Sequence, residues 1–173
     1  DSLYELVVDV QRQRVSDGEA GESFRSRGRQ KMRNKKPYEA IRWLGRAEEL
    51  FVKEEYQRQL ILTLLDGSYA YESAGLLWAA HNKLIVAIER AFRMLQTEGE
   101  MPGIAHHCLR RLTWIEMQLG RIPQILQAIV WTRFCEGLLT STGRSEAQSD
   151  QETMLLQAVL SIHFLNVPFS RRS

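Results

Sequence analysis

Small residues recur at a fixed step in this chain. The stretch PYEAIRWLGRAEELF (37–51) carries Ala40, Leu44 and Ala47, and forty residues on the same spacing returns as Ala80, Leu84 and Ala87. Positions seven apart on a helix share nearly one face. A face buried against a single neighbour ordinarily fills with Leu and Ile. Ala at both positions therefore predicts other helices lying close, toward the short end of the ~8–10 Å range of helix packing. The preceding segments align as well: Phe24 and Gly28 fall on Leu64 and Ser68, a large residue followed four later by a small one. A further step of forty-five puts Leu109 and Thr113 in those two roles, and Gly120 at the turn where Gly75 stood. The second helix of this third unit offers Ile125, Ile129 and Thr132, so the small-residue rule fades there. Two units match well and a third in part. The competing reading is a single irregular helical bundle.

Helical periodicity runs through the sequence, with four prolines and no alternating runs bounded by turn dipeptides. It predicts helices over 19–34, 37–53, 56–74, 77–96, 101–119, 122–139 and 150–165. Residues 1–15 carry Leu3, Leu6, Val7 and Val10 at helical steps, although their valines leave a strand open. Breaks are read at SDGEAGE (16–22), NKKP (34–37), EGEMPG (98–103) and TSTGRSEAQS (140–149). The last break leads into Ser149-Asp150-Gln151-Glu152, the pattern of a capping box.

The quoted residues resemble the tetratricopeptide-type helical hairpin. Its first helix uses a large, a small and an aromatic residue, here Leu64, Ser68 and Tyr71, before Gly75 at the turn; its second uses Ala80, Leu84 and Ala87. The unit here is nearer forty residues than the usual ~34, and the closing proline is missing after 53 and after 96. The resemblance implies an all-α fold, a right-handed superhelical array of antiparallel helix hairpins forming an α-solenoid. Three tetratricopeptide-like hairpins would occupy 19–139. Residues 1–18 would be an N-terminal segment, helix or the end of a preceding unit. A flexible loop at 140–149 and a capping helix and tail at 150–173 complete the arrangement.

The catalytic inventory is thin. No Gly-rich phosphate loop, GxSxG or HExxH is present, and the reading is no enzyme, no cofactor and no metal. His106-His107, beside Cys108, point about 100° apart on a helix and read as a partly exposed helix start. His81 and His163 sit among apolar residues and read as packed. Glu48-Glu49 and Glu54-Glu55 read as solvated faces. Asp66, in LILTLLDGSYAY, reads as bonded to backbone or to an Arg, and the four tryptophans read more as core than as site, with Trp114 set aside as a candidate. Cys108 and Cys135 lack ligand spacing, which favours buried free thiols in a reducing compartment, and so a cytoplasmic protein. Apolar runs such as LILTLL (60–65) are too short for a bilayer, so no membrane association is expected. A chain that opens on Asp1 and ends in FSRRS reads as a piece of a larger protein.

One segment departs from the average. RSRGRQKMRNKK (25–36) holds seven basic side chains and no acid, while the net charge of +2 leaves about −5 for the rest. On a helix Arg25, Arg29 and Arg33 share a face. The resemblance places first helices on the concave surface, with these arginines, then Leu65, Tyr69 and Ser73, then Arg110, Trp114 and Gln118. The candidate partner-binding residues are therefore Arg25, Arg29, Arg33, Tyr69, Arg110 and Trp114. Arg forks suit carboxylates and phosphates, and aromatics give rigid contact area. The function read from this is a protein-interaction scaffold for an acidic or carboxylate-bearing protein or peptide. The alternatives are a nucleic-acid contact through the basic helix, or a sensor or self-associating array of a larger signalling protein. Leu76, Leu77 and Phe92 on outer faces would favour the last. A basic helix that is simply solvated, or paired with acids of a neighbouring unit, is the plain alternative.

Overall fold

In the computed structural model the described residues are 17–52, 56–98 and 102–141. They form six helices and no strand: α1 (Asp17–Arg33), α2 (Pro37–Phe51), α3 (Gln57–Ser73), α4 (Leu77–Glu98), α5 (Pro102–Gln118) and α6 (Ile122–Ser141). The all-α expectation therefore holds over the described residues. None of these helices is long and apolar enough to cross a membrane. The chain divides into two compact units at Cys135/Glu136, within α6, and every candidate site residue belongs to the first. The alternatives for 1–15, Glu54-Glu55, the capping box at 149–152, the helix at 150–165 and His163 all lie outside the described residues.

The three turns joining α1 to α2, α3 to α4 and α5 to α6 share one geometry. In each, a residue with positive φ follows the first helix: Lys35 (57°), Gly75 (77°) and Gly120 (69°). The next residue's N–H reaches back five positions, from Lys36 to Lys31, Leu76 to Tyr71 and Arg121 to Glu116, at 2.9–3.0 Å. The positive-φ residue itself donates three back, to Met32, Glu72 and Met117. This is the Schellman arrangement, which satisfies carbonyls that the ending helix leaves without partners. Pro37 then opens α2 at a position where no N–H is needed.

Lys35 is the exception, because a Cβ in the left-handed region costs roughly 1–2 kcal/mol. Lys35→Gly is expected to stabilise the chain by about 0.5–1 kcal/mol in urea unfolding, most of the relieved strain less the added unfolded-state freedom. A neutral or destabilised variant would mean that Lys35 does not hold this conformation.

Packing follows the spacing. Ala40, Ala47, Ala80 and Ala87 are fully buried, with Leu44 and Leu84 between them. α1 packs on α2 and α3 on α4, while α2 meets α3, α4 meets α5, and α1 touches α3. A Cβ on Gly28 would lie 2.7 Å from Leu44 Cγ, so the small position in α1 is small because α2 lies against it. At the matching positions Ser68 and Thr113 are buried, and their hydroxyls donate to Leu65 and Leu109 carbonyls at 2.7 and 3.0 Å. Thr132 does the same to Ala128 at 2.8 Å. A buried hydroxyl stays satisfied that way without a partner from a neighbouring helix.

Two boundaries differ from the sequence reading. SDGEAGE was expected to break the chain, yet α1 already begins at Asp17, two residues inside the proposed N-terminal segment. Its glycines serve close approach: a Cβ on Gly21 would collide with the Phe51 ring. At the other end α6 continues through Ser141, past the loop start expected at 140.

Candidate functional site

The candidate residues lie on α1, α3 and α5, and cross-links between these three helices place them. Arg25 Nε donates to Asp66 Oδ2 at 2.8 Å, and Nη1 lies 3.6 Å from Glu22. Its side chain is mostly buried, so Arg25 ties α1 to α3 instead of standing open to a ligand. Asp66 thus bonds an Arg, as its apolar setting suggested. One and two turns on, Arg29 and Arg33 are exposed and have no ion pair among the described residues. Lys31, from the same basic run, turns inward and pairs with Glu39. The seven basic residues of 25–36 are therefore divided among different faces by the helical 100° step.

Tyr69 stands one turn beyond Leu65 on α3 and is 37% exposed. Its hydroxyl lies 3.3 Å from His107 Nε2 on α5. The Arg111 guanidinium sits over its ring, 4.0 Å from the centroid, a cation–π stack. Burial, with the charges of Arg110 and His106, holds the His107 imidazole below its ordinary range. Burial also lowers the Arg111 guanidinium, while Tyr69 acts in the opposite sense. Arg111 Nε is buried without a hydrogen-bond partner.

Glu72 joins this group together. It accepts from Arg111 Nη2 and Gln118 Nε2, and from Trp114 Nε1 at 2.8 Å. The indole is held by its edge while Trp114 remains 46% exposed. Tyr69 and Trp114 therefore offer aromatic surface from fixed orientations.

The sequence frame selected Ser73 and Arg110; the residues that cross-link α3 and α5 are their neighbours, Glu72 and Arg111. Arg110 is half-buried, and its described effect is on the His107 charge. A usable signal existed: Glu72 and Arg111 are an acid and a base thirty-nine apart, close to the forty-one between Arg25 and Asp66.

Several other readings are corrected. Only Trp43 of the four tryptophans belongs to the core; Trp78, Trp114 and Trp131 are exposed. His81 is in a polar cluster, with Nε2 3.1 Å from the buried Glu116 carboxylate and Nδ1 3.2 Å from Asn82 Oδ1. The Glu116–Arg121 pair beside it shows why: α5 ends there and supplies a carboxylate that a scan for apolar neighbours in α4 does not see. Glu48 is not solvated, because Lys83 of α4 reaches across to pair with it. Of the residues that would signal an outer apolar face, Leu76 is exposed, whereas Leu77 and Phe92 pack against the core.

Cys108 and Cys135 are free and buried, and burial pushes the Cys108 thiol up to about 12, so it stays protonated and inert. Among the described residues no group of His, Cys, Asp and Glu is arranged to hold a metal ion. No protein-family model matches the chain, and no curated protein matches its sequence.

Proposed function

We propose that this chain is a non-enzymatic interaction scaffold whose α1/α3/α5 face binds an acidic or carboxylate-bearing segment of a partner protein. In this reading its helix pairs are tetratricopeptide-like units of a right-handed superhelical array, and the face of first helices is the concave one. One observation carries it. Arg29 and Arg33 are exposed without ion pairs among the described residues, one and two turns beyond Arg25, which is already neutralised, while α3 and α5 carry the half-exposed Tyr69 and Trp114. Cationic forks one helical turn apart suit successive carboxylates, and the pinned aromatics add contact area at little entropic cost. Arg110 would extend the positive surface on α5. Two free buried thiols fit a reducing compartment, the cytoplasm.

The test is binding of a labelled Glu-rich peptide to wild type and to the Arg29→Glu/Arg33→Glu variant, with the native lysate as a second source of ligand. Arg25 stays unchanged, because reversing it would break its link to Asp66. The double variant is expected to lose about tenfold in affinity with its urea midpoint within error of wild type. Equal affinity of the two proteins would sink the proposal. Captured material that disappears on nuclease treatment, with affinity falling steeply in salt, would instead assign the arginines to phosphates.

A further inference from the structure

Away from the α1/α3/α5 face, a cleft of about 410 Å³ runs between α2 and α4 with α3 as its floor. We propose that it binds a small amphiphilic monocarboxylate: an apolar tail along the groove and a carboxylate on Arg90.

The volume lies in the ordinary range of small-molecule sites. Leu60 and Leu64 of α3 form a buried apolar floor. Val52, at the C-terminal cap of α2, and Val86 of α4 line the walls while remaining 61% and 40% exposed, so apolar surface is left there that a tail would cover. Along α4 the lining extends from Ala79 to Arg90, which at 1.5 Å per residue is a run of about 16 Å. That length suits a linear chain.

The charges select the head group. Lys83 lines the cleft but is neutralised by Glu48 across it. Arg90, at the far end, donates through Nη1 to the neutral amide of Gln57 at 2.7 Å and has no carboxylate partner among the described residues. Among the described residues the cleft thus holds one positive charge without a carboxylate partner, on a fork whose remaining N–H groups fit a carboxylate. A carboxylate brings one negative charge at pH 7. A phosphate monoester brings nearly two and would leave one unmatched in a partly apolar setting.

The experiment titrates the ¹⁵N-labelled full chain with decanoate below its micellar range, with decanol and acetate as separate probes. Wild type is compared with Arg90→Gln and Val86→Trp, each checked for native helix content. Saturable one-to-one binding of decanoate is expected, with amide shifts at α2 and α4. Arg90→Gln should weaken decanoate about tenfold and leave decanol unchanged; Val86→Trp, which fills the groove from an exposed position, should remove both. Acetate, lacking a tail, should not bind measurably. The Arg29→Glu/Arg33→Glu variant should bind decanoate as wild type does, which separates this site from the interaction face. Absence of saturable decanoate binding to wild type would overturn the proposal. So would an affinity that Arg90→Gln leaves unchanged, or decanol binding as tightly as decanoate.

Discussion

Replacing Trp43 by Ala is expected to lower the unfolding free energy by about 3–5 kcal/mol, the loss that follows truncation of a fully buried aromatic side chain. Trp43 is 1% exposed and is the largest fully buried side chain among the described residues. Its ring stacks on Phe24 of α1 with centroids 5.7 Å apart and planes inclined by 26°. Arg46 and Arg42 lie over its face at 5.1 and 5.6 Å from the centroid. Truncation removes the transfer energy of an indole and leaves a cavity between α1 and α2. The cavity cannot close readily, because Gly28 and Leu44 already hold those helices at contact. Trp43→Phe keeps an aromatic partner for Phe24 and should lose less than half as much. Trp114→Ala makes the internal comparison: an exposed indole with one hydrogen bond to Glu72 should cost under about 1 kcal/mol. Urea unfolding with unchanged slope measures all three. Were Trp43→Ala no worse than Trp114→Ala, the α1/α2 interface would not be the close-packed one described.

The fate of the tryptophans marks the limit of what the sequence made legible. Spacing alone located the six described helices to within a few residues and picked out Ala40, Ala47, Ala80 and Ala87 as buried, because a repeated small residue has few explanations other than a close neighbour. Gly75 and Gly120 were equally plain as turns. Lys35 was not, since nothing in Asn34-Lys35-Lys36-Pro37 identifies which residue takes positive φ. Gly18 and Gly21 misled in the opposite direction: propensity reads them as breakers, and only the positions of Tyr56 and Phe51 reveal why a helix keeps them. Pairing between helices was least legible. A one-residue change rotates a helical position by about 100°, enough to exchange Arg110 for Arg111 and Ser73 for Glu72. The register between α3 and α5 that decides this is a tertiary quantity. The same is true of His81, whose partner Glu116 lies thirty-five residues away.

Ala40→Leu and Ala87→Leu are each expected to destabilise by about 1–3 kcal/mol, through overpacking and not through loss of any contact. Both alanines have no exposed surface. The space for three more carbons must come from neighbours that are themselves fixed. Ala40 sits with Leu44 and Ala70, and its carbonyl oxygen lies 3.5 Å from where a Gly28 Cβ would be, so α1 cannot retreat without opening the α1/α2 contact. Ala87 lies in the larger core with Leu84 and Ala91, where α4 must stay close to α3. The two sites belong to separate clusters, so their effects should add to within about 0.5 kcal/mol in the double variant. Substitution by Gly separates space from propensity: Ala→Gly at either site should cost about 1 kcal/mol from helix propensity and lost burial, with no clash. Losses below about 0.5 kcal/mol for both leucine variants would mean that the helices are not held at the separation their small residues permit. The spacing of forty would then be a coincidence of composition and not the determinant of the packing.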